Sequence, residues 1–441
     1  MVFDKKQLRG MMVPILFEQF LVMLVGFLDT LIVSYAGEAA VSGVSLTDCF
    51  AIIAQSLFLS LATGGAVVVS QYIGHGDEDK ASETASQLLM FSALFGLIVT
   101  VPVFLFRGSL ISLFFGSVER DVYEAAYTYM TITALSFPLI SIYNSGASLY
   151  RSIGRTGVTL AVSLVSNAIN IAGNIIGVFV LRLGVAGVAW PTLIARAFSA
   201  VTITILSFRL EGVACRLKWV LGWNSGLLRR IARLAIPAGL ESAVFYVVRT
   251  AMISFISNFG TVQIAAYGIA TNYWNFSSIV SSAAAPVFTT VIGQHMGAGD
   301  TDGAERYFWK LLKLTIGLTA LVNLFFFATL PLTLNAYAVT EATKKLALAI
   351  IFLHNIPHTF LYPFNDPLGK GLRATGDASF VMAGTIVSSV GVRLLFCYIL
   401  GLRLGWGVMG TTLAMVLDWA FRGSLYAWRL KSGKWKSFKV I

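Results

Sequence analysis

Asp29 is the residue from which chemistry is most directly argued. It stands 15 residues past Pro14 in an apolar block near residues 12–35, with no basic residue within a helical turn. A charged side chain at the centre of a bilayer costs at least about 2.5–3.5 kcal/mol, so one kept there needs a partner, a water-filled cavity or a function. A carboxylate buried without a partner becomes readily protonated near physiological pH, which makes Asp29 a candidate proton carrier. The competing reading is a carboxylate satisfied by hydroxyl and amide neighbours on other helices. Glu18 precedes it by eleven residues, about 20° around an ideal helix and about 16 Å along it. Both carboxylates are therefore expected to face one cavity, unless Glu18 snorkels from the helix end.

Other polar residues recur at helical spacing. Ser163, Asn167, Asn170 and Asn174 follow i, i+4, i+7, i+11 on one face, a stripe that either joins helices or lines a pathway. Tyr143 and Asn144 offer further oxygens. Glu241 has no partner within reach on its own helix, and Arg249 lies two turns further along. Asp418 and Arg422 stand i, i+4 with the acid first, which predicts mutual neutralisation. His354 and His358 have metal-ligand spacing but no evident third ligand, so no metal is assigned. His358 is open to a proton, substrate or packing role. Tyr273, Trp274 and Phe276 could stack on a planar cation or simply pack.

The elements that must hold these residues follow from composition. Of 441 residues 57% are hydrophobic and 12% charged, with mean hydropathy +0.78, against about 25% charged in soluble domains. That excludes a soluble fold, and the long apolar blocks exclude an outer-membrane barrel. Cys49, Cys215 and Cys397 lie too far apart in sequence to suggest a disulfide framework or zinc site. The first apolar stretch is too long for a signal peptide and carries Glu18, Gln19 and Asp29. Blocks of bilayer-spanning length fall near 12–35, 44–72, 81–106, 122–148, 158–181 and 186–208, then 234–258, 263–292, 306–332, 344–367, 379–400 and 407–428. The expected fold is an all-α polytopic membrane protein of twelve transmembrane helices. Its domains would be an N-lobe (1–208), a cytoplasmic interfacial linker (209–230) and a C-lobe (231–441) with a short basic tail. The linker, with Trp219 and Trp223 among basic residues, reads as a surface helix.

Of the 32 Lys and Arg, 22 fall on segments that are cytoplasmic if the N-terminus is inside, 6 on external loops and 4 within spans. This positive-inside bias predicts cytoplasmic termini. The net charge of +11 then reports topology and contact with anionic membrane lipid, with no nucleic-acid role. A shift of 223 lays Pro14 on Pro237, Glu18 on Glu241 and QYIGHGDEDKA (71–81) on QHMGAGDTDGA (294–304), where six of eleven positions agree. Chance gives roughly one, so the halves form an internal repeat. Six spans per half make it a parallel repeat of two six-helix bundles. The repeated loop lacks the glycine and final glutamate of a calcium loop, and its Asp77, Asp79, Asp300 and Asp302 are placed to cap or charge-stabilise helix N-termini.

The sequence resembles the multidrug and toxic compound extrusion (MATE) family. The likeness runs from Pro14 to about Arg429, through FEQFLVMLVGFLDTLIVSYAGEAAVSGVSL, QYIGHGD, LYRSIGRTG, SNAINIAGNIIG and LRATGD. It implies two bundles that alternate between inward-open and outward-open states and export amphipathic organic cations in exchange for protons or sodium. It maps the family's first-helix aspartate onto Asp29, its ion-site asparagine onto Asn170 and its helix-bending proline onto Pro14. Asn174 stands where the family usually has an aspartate, a departure that weakens sodium coupling. Two further cation-coupling positions of the family carry Phe245 and Tyr362 here, so the C-lobe sodium pair is missing.

The expected function is thus a proton-coupled, possibly sodium-coupled, efflux antiporter of the inner membrane. It would act as a monomer, without cofactor and without catalytic residues. Asp29, Asn170, Asn174, Glu18 and Glu241 are its coupling candidates. Tyr143, Asn144, Asn167, Arg249, Tyr273, Trp274 and His358 are its cavity candidates. The alternative is a flippase for lipid-linked saccharides or lipids. No nucleophile–base set or nucleotide loop argues for an enzyme or an ATP-driven pump.

Overall fold

The computed structural model describes residues 3–116, 119–337 and 339–441, which form helices joined by short turns, with no strand among them. The helices are α1 Lys5–Ser34, α2 Glu38–His75, α3 Glu78–Leu105, α4 Arg107–Phe115, α5 Arg120–Ala134, α6 Phe137–Ser152, α7 Thr156–Ile175, α8 Ala186–Phe208 and α9 Leu217–Val220. They continue as α10 Ser225–Ile256, α11 Thr261–Gly297, α12 Thr301–Asn335, α13 Glu341–Leu361, α14 Asp366–Ala374, α15 Ala378–Ile386 and α16 Gly407–Lys431. Helices satisfy their backbone groups internally, as a hydrocarbon environment demands. Large apolar side chains such as Ile98, Leu321, Leu324 and Phe325 stay outward-facing and exposed, where lipid would cover them.

Ten helical runs among the described residues are long and apolar enough to cross a bilayer. The pair α5–α6, bent by 45° at its break, makes an eleventh if taken as one span. At 25 residues α16 is also long enough, but Asp418 and Arg422 interrupt its apolar stretch. The protein is a multi-pass membrane protein with ten or eleven such spans among the described residues.

Two compact units emerge, one ending at Gly239 and the other starting at Leu240, inside α10. In the first, α1 packs on α7, α7 on α8, and α2 on α5 and α6. In the second, α11 packs on α12, α13 and α14, while α16 packs on α13. Each unit has a crossing too tight for a side chain at the same repeated position. A Cβ on Gly187 would lie 2.6 Å from the Gly177 carbonyl oxygen, and one on Gly410 would lie 2.6 Å from the Leu400 carbonyl carbon. These glycines are 223 residues apart, and both press against π-helical turns, Ile176–Val180 and Cys397–Arg403. The repeated aspartates cap as expected: Asp77 accepts from the Lys80 amide at 2.9 Å and Asp300 from the Gly303 amide at 2.8 Å.

The linker is not the surface helix its composition suggested. Only Leu217–Val220 is helical between residues 209 and 224. The rest is held as irregular chain because α3 offers it polar side chains along one face. Gln87 donates to the Trp219 and Gly222 carbonyls at 2.5 and 2.9 Å. Ser86 accepts from the Arg216 amide at 3.0 Å, and Glu83 accepts from the Asn224 side chain at 2.7 Å. These bonds replace the intrahelical ladder that a free amphipathic segment would form. Cys215 is buried in this stretch, which pushes its thiol up to about 12.

Candidate coupling site and cavity

The first unit assembles its polar residues around α1. Pro14 has no amide hydrogen, so the Gly10 carbonyl four residues earlier lacks its helical donor. Thr156, at the start of α7, supplies one instead: its hydroxyl lies 3.0 Å from the Gly10 oxygen and 2.9 Å from that of Met11. The break in α1 is thereby tied to α7, the helix that carries the asparagine stripe.

One turn above the break, Glu18 is buried and paired. It accepts from Arg151 Nη2 at 2.8 Å, Thr159 Oγ1 at 3.1 Å and Tyr143 OH at 3.4 Å. Snorkelling is therefore excluded. Arg151 was counted on a cytoplasmic loop by hydropathy, but it lies within α6 with its side chain only 15% exposed. Glu18, Tyr143, Asn144, Ser163, Asn167 and Arg196 line a cavity of about 250 Å³ inside this unit. Asp29 is not among its lining residues, so the single cavity expected from the Glu18–Asp29 spacing is not what forms.

Asp29 instead heads a chain of hydrogen bonds deeper along α7. Its Oδ1 accepts from Asn174 Nδ2 at 2.7 Å, and the same Nδ2 donates to Asn170 Oδ1 at 3.3 Å. Asn170 Nδ2 donates to Thr192 Oγ1 at 3.0 Å, which donates to the Val188 carbonyl at 2.9 Å. The carboxylate thus has a direct amide partner that the sequence of α1 alone did not show. Asn174 Oδ1 is buried and has no partner among the described residues. Turning this amide over would present an acceptor to a protonated Asp29 in place of a donor to a charged one. The asparagine stripe serves two purposes: Ser163 and Asn167 face the cavity, Asn170 and Asn174 face Asp29.

Three members of this neighbourhood escaped the sequence reading. Thr192 is an ordinary hydroxyl in an apolar block and gives no signal. Asp48 and Arg196 are single charges inside spans, visible by the same cost argument that picked out Asp29. Arg196 is one of the four cations that fall within the apolar blocks. Arg196 donates to Ser136 Oγ at 2.7 Å and lines the cavity.

The second unit holds its charges differently. Glu241 is in direct contact with Arg373 of α14, with Asp366 and Lys370 adding their charges nearby. Asp418 accepts from Arg422 at 2.8 Å as predicted, but also from Arg393 at 2.5 and 2.9 Å and from Ser388. Arg249 is exposed on α10 and forms no ion pair among the described residues.

His358 is fully buried and its two ring nitrogens face Ser277 and Ser278 at 2.9 and 3.3 Å. Its ring stacks on Tyr362 at 4.4 Å and meets Trp419 edge-on at 5.3 Å. Among the described residues no group of three His, Cys, Asp or Glu side chains is placed to hold a metal. Tyr273 is spent on Thr333 at 2.6 Å, Trp274 packs edge-on against His354 at 5.5 Å, and Phe276 packs on Phe326 at 5.2 Å. Tyr273 is buried in these contacts, while Trp274 and Phe276 stay half-buried.

Against known proteins, the MatE family model matches residues 14–176 and again 237–399, two copies offset by the same 223 residues as the internal repeat. The chain is 26% identical over 434 residues to the uncharacterized transporter YisQ of Bacillus subtilis (strain 168), covering 96% of this chain and 93% of that one. It is 24% identical over 451 residues to the probable multidrug resistance protein NorM of Thermotoga maritima, covering 99% and 94%. Among solved structures it is similar to MATE in the bent conformation, with TM-score 0.88, 19% identity and coverage of 97% and 96%. It is also similar to a MOP superfamily transporter from Pyrococcus furiosus, said to have a binding pocket of reverse polarity and a different function, with TM-score 0.89, 19% identity and coverage of 98% and 97%. These structural likenesses establish the fold.

Proposed function

The chain belongs to the MatE family, and from that premise we propose that it exports amphipathic organic cations in exchange for protons, by alternating access of two six-helix bundles. It is a transport protein rather than an enzyme. The full arrangement we infer is twelve spans, with α5–α6 and α16 completing the count, in the inner membrane with both termini cytoplasmic. We assign one chain as the working unit.

The observation that carries this reading is the chain Asp29–Asn174–Asn170–Thr192. It joins the one carboxylate of α1 that lacks an ion-pair partner to a side chain with an unused acceptor. A proton on Asp29 removes the charge that Asn174 now serves. Its hydroxyl then needs an acceptor, which Asn174 provides by turning and releasing Asn170. The α1–α7 contact thereby has two discrete arrangements, and Pro14 is where α1 can bend between them, one backbone bond short. Protonation favours one bundle conformation because only a difference in affinity shifts an equilibrium. Each pH unit across the membrane supplies about 1.4 kcal/mol per proton, enough for tenfold accumulation of an uncharged substrate. Sodium is the other candidate coupling ion.

The cavity lined by Glu18, Tyr143, Asn144 and Asn167 is the substrate region we assign in this unit. A flippase reading would draw on intramembrane arginines, but Arg393 and Arg422 are committed to Asp418.

The test is ethidium transport in proteoliposomes under an imposed proton gradient and, separately, an imposed sodium gradient, for wild type and Asp29→Asn. Transport driven by protons and lost in Asp29→Asn is the expected result. Gradient-driven transport that survives Asp29→Asn would move the coupling site elsewhere.

A further inference from the structure

We propose that the cavity of the first unit is a carboxylate-accepting subsite with Arg196 as its contact, so that the compounds this chain handles best carry an acid group at one end. The inference rests on the transport reading above and narrows its substrate class from organic cations in general to those that also bear a carboxylate.

Two charged side chains line the cavity, Glu18 and Arg196, and only one is free to bind. Glu18 is spent: its Oε1 accepts from Arg151 at 2.8 Å and Tyr143 at 3.4 Å, and its Oε2 accepts from Thr159 at 3.1 Å. A substrate ammonium entering here would have to displace a buried arginine from it. Arg196 is the opposite case. One guanidinium nitrogen donates to Ser136 Oγ at 2.7 Å, and the side chain makes no other hydrogen bond and no ion pair among the described residues. A guanidinium carries five N–H donors in a planar fork, so this single bond fixes the head group and leaves most of the fork unused. Asn167 adds a second unused donor from the same lining, since its Nδ2 is buried without a partner among the described residues.

The group that matches unused donors beside a guanidinium is one that only accepts, and an ionised carboxylate is such a group. Its two oxygens take two parallel N–H bonds from the fork, which is what sets arginine apart from a point charge. Size decides how much of a substrate enters. At about 250 Å³ the cavity is smaller than the roughly 300–1,000 Å³ of sites that enclose a drug-sized ligand. It therefore takes one end of the molecule, and Val22 and Ile140 in its wall suit an apolar ring next to the acid. The cationic remainder stays outside.

The repeat offers an internal control. A shift of 223 keeps the acid, as Glu241, but puts Trp419 at the place of Arg196 and Val390 at that of Asn167. The second unit has neither donor at these positions.

The experiment is equilibrium binding of two dyes to the purified full chain, read by fluorescence anisotropy: a rhodamine with a free carboxylate and the methyl ester of the same rhodamine. Wild type is expected to bind the acid more tightly than the ester by roughly ten- to hundredfold, the worth of a hydrogen bond to a charged group. In R196Q that ratio is expected to fall by at least about tenfold. A wild type that binds both dyes alike, or the ester more tightly, would overturn the proposal, as would a folded R196Q that keeps the preference. Should R196Q not fold, N167D decides. A carboxylate in place of the unused amide donor is expected to abolish the preference for the acid, and a preference that persists counts against the subsite. Transport of the same dyes in proteoliposomes keeps the two readings apart. If neither gradient moves either dye, the transport reading fails while the binding ratio still decides the subsite. If the dyes move but wild type binds them alike, the subsite fails alone.

Discussion

The two units share a repeat yet treat the same positions in opposite ways. In the first, Asp29, Asn174 and Thr192 belong to one hydrogen-bonded chain, and Arg196 bonds Ser136. Their counterparts 223 residues later are Met252, Cys397, Met415 and Trp419, and these four belong to one buried hydrophobic cluster. Asn170 is matched by Arg393, which the second unit spends on Asp418. What the halves retain in common lies at the other end: Glu18 with Arg151, and Glu241 with Arg373. A buried acid–arginine pair is thus present in both units, while the polar chain at Asp29 has no counterpart at the repeated positions of the second. At these positions the second unit places apolar side chains and sulfur, which removes the cost of buried polar groups.

The largest effect that would sharpen this contrast is at Asp418. Asp418→Asn leaves Arg393 and Arg422 without their counter-charge, and breaking a buried pair costs about 3–5 kcal/mol. We expect a severe loss of thermal stability in the second unit, read by unfolding in detergent. Little loss would mean that the two arginines are solvated and not structural.

Next come the repeated pairs. Glu18→Gln and Glu241→Gln should each destabilise by about 1–3 kcal/mol, since a hydrogen bond to a charged group is replaced by a weaker one. Equal losses support the scaffold reading. If Glu241→Gln instead abolished proton coupling at unchanged stability, the second unit would be a coupling site and the comparison would break.

A smaller effect separates the two proline breaks. Thr156 holds the Gly10 carbonyl that Pro14 leaves without a donor, but LYRSIGRTG aligned on GLRATGDAS puts Ala378 at its place in the second half. Thr156→Val should cost about 1 kcal/mol and change the rate of transport more than its ion dependence.

The smallest is a cap. Asp300→Ala should cost about 1 kcal/mol. The Gly303 amide, then His295, hold the Asp300 carboxyl below the ordinary carboxylate range. Its contribution is therefore full above the unfolded value and fades as pH falls through the lower folded one. Wild type and Asp300→Ala should converge in stability only in strong acid, as thermal melts against pH would show.

The apolar blocks, the repeat and the capping aspartates were legible because each is a property of nearby residues or of one residue's burial cost. Asp29 was legible for the same reason: a lone carboxylate in an apolar span has to be accounted for. What surrounds it was not. Thr192 and Asp48 sit on helices whose own periodicity says nothing of their neighbours, and Arg151 and Arg373 read as loop charges because hydropathy cannot see a partner far away in sequence. The linker failed for a related reason, since its amphipathic composition favoured a helix until α3 offered competing hydrogen bonds. The sequence alone thus determined a membrane-spanning helical repeat with an unpaired acid in its first half. Only the tertiary structure decided which charges cancel, because pairing in a low-dielectric interior depends on distances between helices that no single helix encodes.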